Sequence, residues 1–401
     1  MRAYERLLQY VTVHTASAED CEETPTTRRQ FDLSRLLEKE MKALGMEGVF
    51  VDKHAYVYGF IPASAGCEDK PCVGLIAHID TIPDFSGENV KPRLVENYDG
   101  GEIALGDSGR VLNAEQFPHL KTLLGHTLVV TDGTTVLGAD DKAGVAEIMT
   151  ACERVLTEKL PHGPIAVCFT PDEEVGHGAA LLDLERFGAD FAYTVDGGEP
   201  WEINYATFNA AGAKFEFKGF NIHPGSAKNK MINASLVAME CNAMLPAGET
   251  PEHTEGYEGF FHLTDMQGNV EKATLSYIIR DHDAALFEGR KKTMEHIAAL
   301  LNEKYGPGTV TLTIRDQYRN MEEKLRERMD VVQRVEKAIR AIGLEPASVP
   351  VRGGTDGSQL SFRGLLCPNL GTGGYCCHGP YEHASAQKMD QVVEILLGLL
   401  N

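Results

Sequence analysis

Three short apolar runs in this chain each end in residues that carry charge or bind metals, and this constrains the fold more than any other feature. Residues 165–169 run into Thr170-Pro171-Asp172-Glu173-Glu174-Val175-Gly176, residues 72–77 into His78-Ile79-Asp80-Thr81, and residues 191–195 into Asp196-Gly197-Gly198. Apolar runs of this length predict strands buried on both faces. Their polar residues then collect at the carboxyl edge of a sheet, where open α/β folds bind ligands. Adjacent carboxylates repel one another and are expensive to desolvate unless something positive neutralises them. A solvated acidic turn explains any one of these clusters. It does not explain three at equivalent places.

The remaining pattern supports an α/β fold with a mixed sheet between helices. Residues 2–14 and 27–44 read as amphipathic helices, the second with Phe31, Leu33, Leu36, Leu37, Met41 and Leu44 on one face and Gly45 as its stop. Strands follow at 48–52 and 56–61. Residues 90–134 are rich in Gly, Asp and Asn and read as a long irregular loop of the kind that carries function. Asp140 and Asp141 open a helix running to about residue 156, where the helix dipole favours negative charge. Capping accounts for one of the two acids.

After Trp201 the pattern changes to strand 213–220, helix 234–245, strands 259–264 and 273–280, helix 284–305 and strand 309–314. That β-α-β-β-α-β order predicts a ferredoxin-like inserted domain over 208–317. The flanking segments 1–207 and 318–401 then form one discontinuous domain, closed by a helix at 331–342, a strand at 348–351, a glycine-rich turn at 352–358, a strand at 366–370 and a helix at 384–400.

The formal net charge of -21 argues against nucleic acid and anionic membrane as partners. No apolar run approaches the ~18 residues of a membrane span, and the start of the chain reads as an amphipathic helix. Nine irregularly spaced cysteines without a Cys-x-x-Cys pair predict a reducing, cytoplasmic setting.

The polar residues at the expected sheet edge are His78, Asp80, Asp140, Asp141, Glu173, Glu174, Asp196 and His378. Two imidazoles among carboxylates suit zinc or another borderline divalent ion. The set exceeds what one catalytic zinc requires and suits two ions sharing a carboxylate. Glu173, beside a candidate ligand, is placed to move a proton.

These segments, with Gly138-Ala139-Asp140-Asp141-Lys142-Ala143-Gly144 and His378-Gly379, resemble the M20 metallopeptidases, and within them enzymes that remove the N-terminal residue of tripeptides. The resemblance implies a zinc-peptidase-like catalytic domain holding two Zn2+ ions. His78 and Asp196 would hold one, Glu174 and His378 the other, and Asp140 would bridge them. Asp80 would orient His78, Glu173 would be the general base, and a cis peptide would join Asp140 to Asp141. A homodimer formed through the inserted domain is also implied. The alternatives are another M20 hydrolase, acting on dipeptides or N-acyl amino acids, and a non-catalytic metal-binding protein.

A short-peptide enzyme needs a cation for the substrate's C-terminal carboxylate, and arginine binds it bidentately. Arg280 and Arg352 are the candidates, against ion pairs of Arg280 with Asp281 or Asp283 and of Arg352 with Asp356. The resemblance adds His223 as a substrate contact. Cys376 and Cys377 stand where the resemblance leads us to expect no thiols. Each is either a small apolar residue or a competing soft ligand. By composition His383 rivals His378, and the resemblance favours His378.

Overall fold

The computed structural model describes residues 1–19 and 21–401. The chain divides into two units: Met1–Tyr205 with Glu323–Val349 and Thr355–Asn401, and Ala206–Glu322 with Pro350–Gly354.

The first unit is built on an eight-stranded mixed sheet. In spatial order its strands are Glu47–Val51, Val57–Ile61, Ile165–Thr170, Val73–His78, Phe191–Gly197, Asn369–Gly371, Glu202–Asn204 and Ala347–Ser348. Val73–His78 runs parallel to both Ile165–Thr170 and Phe191–Gly197. All three expected acidic strand ends therefore share one edge. Every residue of Val73–His78 and Ile165–Thr170 is buried, as strands covered on both faces require.

Helix Ala139–Glu158 packs on one face of this sheet, flanked by helices Ala3–Tyr10 and Ala386–Leu400. It comes close because Gly144 has no side chain: a Cβ there would lie 1.9 Å from the Val195 carbonyl oxygen. This contact brings the start of the helix, with Asp140 and Asp141, beside the end of the Asp196 strand. On the opposite face Tyr56, Tyr58, Ile76, Cys168, Phe187 and Leu360 form a second apolar layer.

Residues 90–134 are not the irregular loop their composition suggests. Arg93–Val95 and Leu128–Val130 pair with Gly374–Tyr375 and His383–Ser385 in a separate four-stranded antiparallel sheet. Tyr98, Ile103, Leu112, Leu120, Leu123, Leu128 and Tyr375 give it an apolar core of its own. The polar residues that suggested a loop occupy the turns between strands only two or three residues long.

The second unit has the β-α-β-β-α-β order. Strands Phe260–Gly268, Lys272–Asp281, Asn209–Lys218 and Val310–Tyr318 lie side by side in that order, all antiparallel. Buried and less buried residues alternate along Lys272–Asp281, the signature of a sheet covered on one face. Helices Ala234–Ala243 and Ala284–Tyr305 cover it with Val237, Cys241, Phe287, Met294 and Leu301. Among the described residues no helix is long and apolar enough to cross a membrane.

Candidate metal centre

Asp140 lies between two imidazoles, presenting one carboxylate oxygen to each. Its Oδ1 is 3.0 Å from His78 Nε2 and its Oδ2 is 3.1 Å from His378 Nε2. Glu174 Oε2 is 3.1 Å from the same His378 nitrogen, and Asp196 Oδ1 is 3.7 Å from His78 Nε2. His78, Asp140 and Glu174 offer ligand atoms within 4.8 Å of one another, and so do His78, Asp141 and Asp196. The peptide between Asp140 and Asp141 is cis.

Asp80 fixes both sides of this arrangement. His78 Nδ1 lies 3.1 Å from the Asp80 carbonyl oxygen and 3.3 Å from Oδ1. Its N–H is therefore committed to Asp80, and Nε2 is directed toward Asp140. The same carboxylate accepts the backbone N–H groups of Glu173 and Glu174 at 3.0 and 3.3 Å, so one buried acid sets the register of the imidazole and of the acidic turn. Asp172 does not join them. It accepts from the Thr26 amide and hydroxyl and from Gln30 Nε2, which anchors the turn to the start of helix Gln30–Leu44. Asp141 accepts the His78 and Gly144 backbone N–H groups.

The electrostatics of the edge call for added positive charge. Burial raises Glu173 and Asp196 well above the usual carboxylate range and raises Glu174 as well. Burial also acts on Asp140, yet His378 and His78 hold it far below that range. His378, bonded to Asp140 and Glu174, is raised to about 10. His78 is raised well above its ordinary value, because Asp196, Asp140 and Asp80 outweigh its burial. Two imidazole nitrogens and several carboxylate oxygens, with no sulfur required, match the donor preference of zinc or another borderline divalent ion that would displace protons from those groups.

Glu382 belongs to the support of this site, and nothing in the local sequence pattern singles it out. Its Oε2 accepts the backbone N–H groups of Leu137 and Gly138, and its Oε1 accepts that of Asp140. It thereby holds the turn that presents the central carboxylate. Asp356, buried against the Thr170 hydroxyl, is another acid at this edge with no signature in the sequence.

The remaining residues expected to contact substrate lie in the second unit. Arg280 Nη1 donates to the carbonyls of Ala211 and Ile279, and the guanidinium stands over the Tyr318 ring. Asp281 pairs with Arg290, and Asp283 caps helix Ala284–Tyr305. Arg352 donates to the carbonyls of Gly256 and Glu258 and to the Thr254 hydroxyl. His223 is exposed and accepts the Gly225 N–H.

The sequence profile of Peptidase family M20/M25/M40 matches residues 127–401. Peptidase T of Clostridium perfringens (strain 13 / Type A) is 51% identical over 400 residues, spanning 100% of this chain and 98% of the relative. The fold is similar to aminopeptidase PepT from Bacillus cereus ATCC 10987, with a TM-score of 0.79 at 22% identity over 100% of this chain and 97% of the other. It is similar also to a tripeptidase from Staphylococcus aureus subsp. aureus mu50, with a TM-score of 0.78 at 21% identity and the same coverage. The chain belongs to peptidase family M20/M25/M40, in its peptidase T branch, and is a metallopeptidase.

Proposed function

We infer that this chain is a tripeptide aminopeptidase whose sheet-edge centre holds two zinc ions, with Asp140 shared between them. His78 and Asp196 would hold one ion, and Glu174 and His378 the other. When bound, such a pair polarises the scissile carbonyl and makes water acidic enough to attack at neutral pH. The chain's own part is to place and move protons. Glu173 takes the proton of the attacking water and returns it to the departing amine. Asp80 keeps His78 in the tautomer that directs Nε2 inward and holds the Glu173 backbone. The observation that carries this reading is Asp140, with one oxygen toward each of two imidazoles.

In the second unit we propose Arg280 as the group that takes the substrate's C-terminal carboxylate and His223 as a further substrate contact. Arg352, whose donors already serve the loop 254–258, is proposed for a lesser part in the same task. A homodimer formed through this unit agrees with the exposure of Leu236 and Met239, at 60% and 58%, on helix Ala234–Ala243. Sedimentation equilibrium measures it, and a single-chain mass at micromolar concentration would refute it.

Steady-state kinetics on a peptide series test the substrate assignment. Tripeptides with a free N-terminus should be cleaved, while dipeptides, tetrapeptides and N-acetylated tripeptides should be poor substrates. Replacing Arg280 with Ala should raise KM for the free tripeptide acid and leave its C-terminal amide nearly unaffected. Equal turnover of acetylated and free tripeptides would point to a deacylase or endopeptidase instead.

A further inference from the structure

The small antiparallel sheet carries a second cluster of metal-binding side chains, separate from the sheet-edge centre. His119 from the 3-10 helix Pro118–Thr122, Cys376 after strand Gly374–Tyr375, and His383 from strand His383–Ser385 offer ligand atoms within 4.8 Å of one another. The two imidazoles meet through Nε2, 3.0 Å apart.

The tautomer of His383 makes this arrangement informative. His383 is fully buried, and its Nδ1 lies 2.8 Å from the Tyr381 carbonyl oxygen. A carbonyl only accepts, so Nδ1 carries the hydrogen and Nε2 presents its lone pair to His119. Backbone carbonyls commonly orient metal-bound histidines in this way. Two nitrogen lone pairs cannot face each other at that distance without a proton or a cation between them. With His383 Nε2 accepting, a hydrogen bond between the rings has His119 Nε2–H as its donor.

Burial also keeps both rings neutral. It lowers His119 and brings His383 down to about 4. Tyr375 stacks on His119 with 4.6 Å between ring centroids and 7° between planes, and it stacks on His383 as well. The rings are thus held in place. His119 and Cys376 are only partly buried, which leaves a route for an ion to enter.

We propose that His119, Cys376 and His383 form an additional zinc site that pins the segment 376–383. The donor set is two imidazole nitrogens and one sulfur, with solvent in the fourth position, a combination that suits zinc. On binding, the Cys376 thiol proton passes to solvent and the His119 proton moves to Nδ1, so that each ligand gives an electron pair. The pinned segment carries His378 and Glu382, which ties this site to the order of the sheet-edge centre through the backbone.

The test uses the full chain, metal-depleted and reloaded with zinc or with cobalt. We expect wild type to retain about one more zinc ion per chain after dialysis than Cys376→Ser does. We also expect cobalt-loaded wild type to show a near-ultraviolet thiolate-to-cobalt charge-transfer band that Cys376→Ser and His119→Ala weaken or lose. Circular dichroism of each variant controls for folding, and the cobalt band of wild type stands whether or not a variant folds. Equal zinc content in wild type and a folded Cys376→Ser, or the absence of a thiolate band from cobalt-loaded wild type, would overturn the proposal. The loss of the sulfur signature on Cys376→Ser assigns the thiolate to this site, and that readout is independent of how many ions the sheet-edge centre holds.

Discussion

The large mixed sheet and the small antiparallel sheet of the first unit both bring histidines and metal-binding groups together, but by different means. In the large sheet, three strands of six or seven residues run parallel and end at one edge, so the site follows from strand direction. In the small sheet the strands have two or three residues, and its central pairing joins Leu128–Val130 to His383–Ser385, more than two hundred residues away. There no local run predicts which side chains will meet. The first kind of site is written into segments, the second into their assembly. The two touch at Glu382: it sits beside His383 in sequence, and its carboxylate holds the Asp140 turn.

The largest effect belongs to the residue that links the parts of the sheet-edge centre. Replacing Asp140 with Ala removes the carboxylate common to both imidazoles. Tripeptide turnover should fall at least about 10³-fold, a loss of several kcal/mol of transition-state stabilisation. Metal analysis of the same variant should show both ions weakened together. Loss of only one would mean that Asp140 serves a single ion, and the contrast between a shared edge and separate ligands would have to be redrawn.

A smaller effect is expected where the two regions meet. Glu382→Gln keeps the shape but points an amide N–H2 at backbone N–H donors. Metal affinity at the sheet-edge centre should drop by about 10–100-fold, the range usual for a group that supports a ligand without binding the ion. Isothermal titration with zinc measures it. Unchanged affinity would mean that the Asp140 turn needs no help from the small sheet.

Much of this candidate site is legible in the sequence alone. The acidic strand ends, the two imidazoles and the position of Asp140 at a helix start all lie in contiguous segments with strong apolar runs beside them. The β-α-β-β-α-β order of the second unit was equally legible, because each of its strands is nine or ten residues long. The small sheet was not. Its strands are shorter than the period needed to display alternation, and their Gly- and Asp-rich turns imitate a loop. Asp172 shows another limit. It is chemically like its neighbours Glu173 and Glu174, and only its bonds to Thr26 and Gln30 reveal that it anchors the turn. Arg352 is similar: Asp356, its alternative partner by spacing, is buried against Thr170, and Arg352 ties down a loop far from it in sequence. Partners chosen by tertiary packing leave no trace in spacing.

The most direct test of the central claim, that the sheet edge exists to activate water and move its proton, is to replace Glu173 with Gln and measure turnover and metal content on the same sample. The account predicts a loss of about 10²–10⁴-fold in kcat, with bound metal unchanged from wild type. Tripeptide hydrolysis at the wild-type rate, or loss of activity only in proportion to lost metal, would contradict it.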